Sequence, residues 1–90
     1  MREEILSMCL DEAEKRLSAE LLKRLREKGP GVFVSIHEML GVITEEYWEL
    51  IEAVKDNSGY RIQNELLDLG VAVLFSIASL LQEQLKCTSA

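Results

Sequence analysis

The sequence predicts an all-α chain, an antiparallel helical bundle of three main helices that is completed by dimerisation. Apolar residues recur every three or four positions along three long segments, and turn-forming residues separate the segments. No segment shows the alternating pattern of a strand. The 90 residues correspond to a single domain spanning 1–90. A chain of this length buries only about 60% of the surface that its unfolded form exposes, so self-association is expected.

The first predicted helix spans residues 1–28. Its apolar positions share one helical face: Leu6, Leu10, Ala13, Leu17, Leu21 and Leu25. The segment 28–31, with sequence KGPG, ends the helix, because glycine adopts the left-handed conformation and proline cannot extend a helix. Four bases close it: Lys23, Arg24, Arg26 and Lys28. Cations at this end favour the helix dipole, which is the interpretation that we prefer.

The second predicted helix spans residues 35–56. Ser35 and Glu38 fit a capping box, in which the serine oxygen accepts a backbone N–H and the glutamate reaches back to the cap. Apolar residues then keep the helical rhythm: Ile36, Met39, Leu40, Ile43, Tyr47, Leu50, Ile51 and Val54. The segment 57–59, with sequence NSG, ends this helix and supplies Asn57 or Ser58 as the cap of the next one.

The third predicted helix spans residues 59–86 and is apolar nearly all round. Between Leu69 and Leu81 only Ser76 and Ser79 are clearly polar. A membrane span needs about twenty such residues, and Asp68 stands at the near end, so a buried bundle helix is the better interpretation. The other two helices of the chain cannot cover this one completely. We therefore expect a homodimer or a homotetramer with the third helix at its centre.

Charge and cysteine usage restrict the partners and the compartment. Sixteen acids against ten bases give a net charge of −6, which argues against nucleic-acid polymers and membrane surfaces as partners. Cys9 and Cys87 show no metal-binding or redox spacing, and no secretory leader precedes them. The expected localisation is therefore cytoplasmic, with both thiols reduced.

Two pairs of acids stand three positions apart, one pair on each of the last two helices: Glu46 with Glu49, and Glu65 with Asp68. Such pairs share a helical face, so on antiparallel helices they can converge on a hard divalent cation such as Mg²⁺. The alternative is a solvated acidic face, in which Glu65 pairs with Arg61 one turn earlier. Three further acids fit that alternative: Glu45, Glu52 and Asp56.

A longer pattern contains these pairs. The segment 45–49, with sequence EEYWE, is followed after fifteen residues by the segment 65–68, with sequence ELLD. This spacing resembles the EExxE…ExxD signature of the MazG-like all-α nucleoside triphosphate pyrophosphohydrolases, and residues 35–81 resemble that family's helix–turn–helix core. Leu67 stands where the family often has glycine, which changes packing more than ligation.

The resemblance implies antiparallel helices assembled as dimers or tetramers. It also implies hydrolysis of a nucleoside or deoxynucleoside triphosphate to the monophosphate and pyrophosphate, with a role in clearing unwanted nucleotides. Mg²⁺ would be the cofactor, with Mn²⁺ as a substitute. By position, the metal ligands would be Glu46, Glu49, Glu65 and Asp68. Glu45 and Glu49 would be catalytic, with Glu45 as an outer acid that orients or deprotonates water.

Weaker candidates for substrate contact are Trp48, His37 and Lys28. For the four bases at the end of the first helix, the alternative to the dipole is that one or two of them reach a triphosphate held by the metal. For His37, a surface or structural histidine is the interpretation that we prefer. Trp48 lies off the apolar stripe of its helix, where it packs in a subunit interface, which we favour, or stacks on a nucleobase. Phe33 and Tyr60, beside loops, are comparable candidates for a base pocket.

Other mechanisms find little support in the sequence. There is no Gly-rich phosphate loop, and no serine or cysteine has a nearby histidine and acid in sequence. Two other functions stay open. One is a MazG-like module that binds nucleotides or a protein partner with weak or no catalysis. The other is a structural helical oligomer whose acids are solvated.

Overall fold

The computed structural model describes residues 2–89, which form three α-helices and no strand. Helix α1 spans Ser7–Lys28, α2 spans Ile36–Lys55 and α3 spans Gly59–Ser89. The prediction of an all-α chain with three main helices is confirmed. Of the two cysteines, Cys9 is an exposed free thiol, and the side chain of Cys87 lies outside the described residues.

The N-terminal boundary of α1 differs from the prediction. The helix begins at Ser7, and the preceding Leu6 makes no side-chain cap. Ile5 and Leu6 are largely exposed, so no packing offsets the entropy of ordering residues 2–6 as a further helical turn. The C-terminal boundary at Lys28 is as predicted, because Gly29 adopts φ 78° and its N–H bonds the carbonyl oxygen of Leu25.

The caps of the other two helices follow the predicted chemistry with one change. Ser35 Oγ accepts the N–H of Glu38 at 3.2 Å, as in a capping box. Glu38 Oε1, however, accepts the N–H of Val34 at 3.0 Å, one residue before the cap. Helix α3 uses Ser58, whose Oγ accepts the N–H of Arg61 at 3.3 Å. Both helix starts are thus fixed by side-chain acceptors for otherwise unpaired backbone donors.

Helix α3 is the central element, and both other helices pack against it. The three-residue connection 56–58 turns the chain back, so α2 and α3 form an antiparallel hairpin. Helix α1 meets α3 where Arg16 donates to Gln63 Oε1 at 3.3 Å and where Leu17 lies against Gly70. The chain therefore runs up, down and up, with α3 shared between the two contacts.

The core of one chain is small. Ala53, Val71 and Ala72 are 0–1% exposed, and Ser76 is buried with its hydroxyl donating to the carbonyl oxygen of Ala72. Many larger apolar side chains stay exposed, and on α3 they are Leu66, Val73, Leu74, Ile77, Leu80 and Leu81. The stretch Gly59–Gln84 is long and apolar enough to cross a membrane, by length and composition only, and 17% of its window is buried within the chain.

Candidate functional site

Four carboxylates from α2 and α3 converge at one place. Each of the residues Glu46, Glu49, Glu65 and Asp68 offers one carboxylate oxygen, and these atoms all lie within 4.8 Å of one another. The two pairs with i, i+3 spacing therefore face each other across the hairpin, as the sequence predicts. No other candidate site of this kind occurs among the residues that the structure describes.

Small buried residues accompany both pairs. Ala53 follows Glu49 by one turn, Ala72 follows Asp68 by one turn, and both alanines are fully buried. The distance between packed helices depends on the side chains at the contact, so short side chains at these positions allow a close approach. The same local sequence that spaces the acids also lets their carboxylates meet.

Burial and mutual repulsion raise the pKa of three of these acids. For Glu46 the pKa rises from 4.5 to about 6, chiefly because burial disfavours the charged form and then because Glu49 and Asp68 are close. Burial followed by the neighbouring Glu49 raises the pKa of Glu65. Burial followed by Glu20 of α1 raises the pKa of Asp68. Negative charge at this place is therefore under-compensated by the protein's own groups.

The cations near these helices are divided unequally among the acids. Arg61 bonds the carboxylate of Asp56, and its charge also acts on Glu65, where it lowers the pKa against the larger effects of burial and Glu49. Nζ of Lys55 lies 3.9 Å from Oε1 of Glu52. Arg24 of α1 approaches the four acids, with its Nη1 at 3.9 Å from Glu46 Oε1. Glu52 and Asp56 thus behave as a solvated acidic face with their own cations, as predicted.

Two carboxylate oxygens of this group lack partners. Glu46 Oε2 and Glu65 Oε2 are buried and have no hydrogen-bond partner. Buried carboxylate oxygens without partners are costly, and oxygen ligands from several carboxylates are what Mg²⁺ and Mn²⁺ prefer. The four carboxylates could hold such an ion, with Glu46, Glu49, Glu65 and Asp68 as its ligands.

The structure places the other predicted site residues outside this group of four. Glu45 and His37 are exposed, and Trp48 is 58% exposed on α2. Tyr60 is 81% exposed at the start of α3. Lys28 lies at the end of α1, where it lines a small cavity.

That small cavity is a feature that sequence reasoning missed. It measures about 120 Å³, and its lining includes Arg24, Lys28, Phe33, Val71 and Phe75. The rings of Phe33 and Phe75 meet edge to face, with centroids 5.3 Å apart and planes at 82°. One signal in the sequence pointed toward it: Val71 stands three positions after Asp68, so the two residues share a face of α3.

A larger cavity, of about 500 Å³, lies between the start of α2 and the end of α3 and is lined in part by Ile36, Met39 and Leu80. Ile36 is ten residues before Glu46, or about 15 Å along the helix axis. The larger cavity is therefore distant from the four converging carboxylates, and size alone does not identify a functional site.

Comparisons with protein-family models, with curated proteins and with solved structures found no match to this chain.

Proposed function

We propose that the chain is a Mg²⁺-dependent nucleoside triphosphate pyrophosphohydrolase of the MazG-like type. It would convert a nucleoside or deoxynucleoside triphosphate and water to the monophosphate and pyrophosphate, and so help to clear unwanted nucleotides. One observation carries the proposal: two i, i+3 acid pairs on antiparallel helices bring four carboxylate oxygens within 4.8 Å of one another. This arrangement joins the EExxE…ExxD spacing of the sequence to a geometry suited to a hard cation.

The acids have distinct roles in the proposed reaction. Glu46, Glu49, Glu65 and Asp68 hold Mg²⁺ or Mn²⁺, which when bound neutralises phosphate charge and acidifies water. A carboxylate of Glu49, or of the outer acid Glu45, accepts the proton of the attacking water. The new bond forms between the water oxygen and the α-phosphorus. The bond from the α-phosphorus to the oxygen that bridges to the β-phosphate breaks, and this oxygen leaves as part of pyrophosphate.

We further propose that the working form is a homodimer or a homotetramer. Exposed apolar side chains recur along α2 as well as α3, and the α2 members are Ile36, Leu40, Tyr47, Trp48 and Val54. Contiguous apolar surface of this kind marks an interface or a membrane contact. A second copy would cover the same stripes on both chains, and sedimentation in detergent-free buffer distinguishes this assembly from membrane insertion.

The proposed activity is tested with a panel of ribonucleoside and deoxyribonucleoside triphosphates and Mg²⁺. The expected product is pyrophosphate, and the substitutions Glu49→Gln and Asp68→Asn should each lower its release by about 100-fold or more. Glu52→Gln is the matched control, because Glu52 is an acid of the same helix that pairs with Lys55. Release of inorganic phosphate, or equal rates in all four proteins, would contradict the proposal.

A second candidate is a MazG-like module that binds nucleotides or a protein partner without turnover. The position of Glu45 favours it, since this predicted catalytic acid is exposed and is not one of the four converging residues. In that case a triphosphate with Mg²⁺ raises the melting temperature but gives no pyrophosphate. A purely structural oligomer would respond to neither metal nor nucleotide.

A further inference from the structure

Arg24 of α1 makes an ion-pair contact with the acid cluster, beside Glu20 and Lys23 of the same helix, whose charges act on Asp68. Its guanidinium Nη1 lies 3.9 Å from Glu46 Oε1, and both side chains are mostly buried, at 24% and 14% exposed. The distance is longer than a direct hydrogen bond, so the contact is electrostatic and leaves the guanidinium donors without fixed geometry toward Glu46. Arg24 therefore supplies positive charge at the cluster without being locked to it.

The packing of α1 on α3 fixes where this arginine lies. Leu17 and Arg24 are seven residues apart and share a face of α1. Leu17 packs so closely on α3 that a Cβ at Gly70 would lie 2.9 Å from its Cδ1. Gly70 in turn stands two residues after Asp68. A glycine next to the site thus allows the approach that brings Arg24 over the carboxylates.

Arg24 also lines the cavity of about 120 Å³, beside its contact with Glu46. Arg24 and Lys28, one turn apart on α1, both line it, and Val71 and Ala72 on its α3 side lie one turn beyond Asp68. The cavity therefore borders the acid cluster and carries two cations. An arginine fork binds phosphate oxygens in pairs, whereas a lysine adds a point charge.

We propose that Arg24 is a resident cation that exchanges partners: it compensates Glu46 when no metal is bound, and it binds the substrate's triphosphate, together with Lys28, once a divalent cation takes the carboxylates. The triphosphate in this inference rests on the proposed function. The competition between Arg24 and the metal for Glu46 does not depend on that function. It explains how a chain of net charge −6 holds a polyanion.

The first arm of the test measures Mn²⁺ binding by calorimetry without nucleotide. Arg24→Gln should bind Mn²⁺ at least threefold more tightly than the unsubstituted chain, because the competing cation is gone. Arg26→Gln removes the same charge from an exposed position of the same helix and should change the affinity less than twofold. Equal Mn²⁺ affinity in the two variants, or weaker binding in Arg24→Gln, overturns the exchange.

The second arm measures binding of inorganic triphosphate with saturating Mg²⁺. Arg24→Gln should weaken it at least tenfold, Arg24→Lys should restore part of the affinity, and Arg26→Gln should leave it unchanged. Unchanged affinity in Arg24→Gln overturns the inference. Circular dichroism melts in chelator identify a variant that fails to fold, and Arg24→Lys, which keeps the charge, then tests the exchange in its place. It should weaken triphosphate binding by about twofold to tenfold, because the paired contacts of the guanidinium are lost, without tightening Mn²⁺ binding. Unchanged triphosphate affinity in Arg24→Lys, or tighter Mn²⁺ binding, would then overturn the exchange.

The proposed function is judged separately, from the unsubstituted chain. If that chain releases no pyrophosphate while both arms give the expected shifts, the hydrolase proposal fails and the exchange stands. If it releases pyrophosphate while Arg24→Gln changes neither affinity, the exchange fails and the hydrolase proposal stands. If the unsubstituted chain binds no Mn²⁺, both are overturned.

Discussion

On α3, the face that carries Glu65 and Asp68 packs against the other helices, whereas the opposite face is apolar and exposed. The inner face holds buried residues together with carboxylates whose pKa values are raised. The outer face repeats apolar residues at intervals of three, four and seven, as in Leu66, Val73, Ile77 and Leu80. The inner face thus combines the small core of the chain with carboxylates in close contact, and the outer face leaves large apolar side chains exposed to solvent.

Under the proposed function, each face is completed by a group outside the single chain: a divalent cation on the inner face and a second copy on the outer face. Clustered carboxylates are stabilised by a cation, and an apolar stripe is stabilised by cover. If the two faces serve different purposes, substitutions on the outer face should affect assembly, and substitutions on the inner face should affect metal binding. The largest effect should be on assembly, and the smallest should come from a single contact between α1 and α3.

The largest effect is expected from a charge on the outer stripe. Ile77→Lys would place an ammonium in the proposed interface, with an unfavourable contribution on the order of several kcal/mol. Sedimentation should then show dissociation, accompanied by a lower melting temperature. Val34→Lys is the control, because Val34 is 88% exposed in the connection before α2. Sedimentation of Ile77→Lys identical to that of the control would contradict the proposed interface.

On the inner face, the neutral substitution Glu65→Gln should separate stability from metal binding. The new amide can donate to Glu49, so the metal-free chain gains on the order of 1 kcal/mol in its free energy of unfolding. Stabilisation by Mg²⁺ should be lost, which at 100 times the dissociation constant is about 2.7 kcal/mol. Denaturant titrations with Mg²⁺ and with chelator measure both changes. A variant still stabilised by Mg²⁺ would show that Glu65 is not a ligand.

The free energy of unfolding should also depend on pH, because burial raises the pKa of Glu46. Because the pKa of Glu46 rises from 4.5 to about 6 on folding, the folded chain binds more protons in this window. The free energy of unfolding in chelator should therefore fall as pH rises from about 4.5 to about 6, by about 2 kcal/mol from Glu46. Above that window the loss is complete. The slope should be smaller in Glu46→Gln, and denaturant midpoints at successive pH values test this difference.

The sequence predicts the hairpin and its acids because both depend on local regularity. The i, i+3 spacing fixes the face of each pair, and a three-residue turn leaves α2 and α3 no arrangement but an antiparallel one. The approach of Arg24 to Glu46 could not be predicted, because it depends on how α1 lies on α3. The contact of Phe33 with Phe75, 42 positions apart, is unpredictable for the same reason.

The smallest effect is expected where α1 meets α3. In Gly70→Ala, the new Cβ would lie 2.9 Å from Cδ1 of Leu17, the end of a flexible side chain that can move by a few tenths of an ångström. Alanine also favours the helix by about 1 kcal/mol over glycine, so the net change in stability should be below about 1 kcal/mol. Gly41→Ala is the control, because nothing lies within 4 Å of a Cβ there and the full gain should appear.

The difference between these two alanine variants in denaturant titrations therefore measures the Leu17 contact alone. If Gly70 also sets the position of Arg24, then Gly70→Ala should bind Mn²⁺ more tightly than Gly41→Ala, although far less so than Arg24→Gln. Equal stabilisation and equal Mn²⁺ affinity in the two variants would mean that the close approach of α1 has no bearing on the carboxylates. The inner face would then belong to α2 and α3 only, with Arg61 of α3 as a cation that acts on its carboxylates.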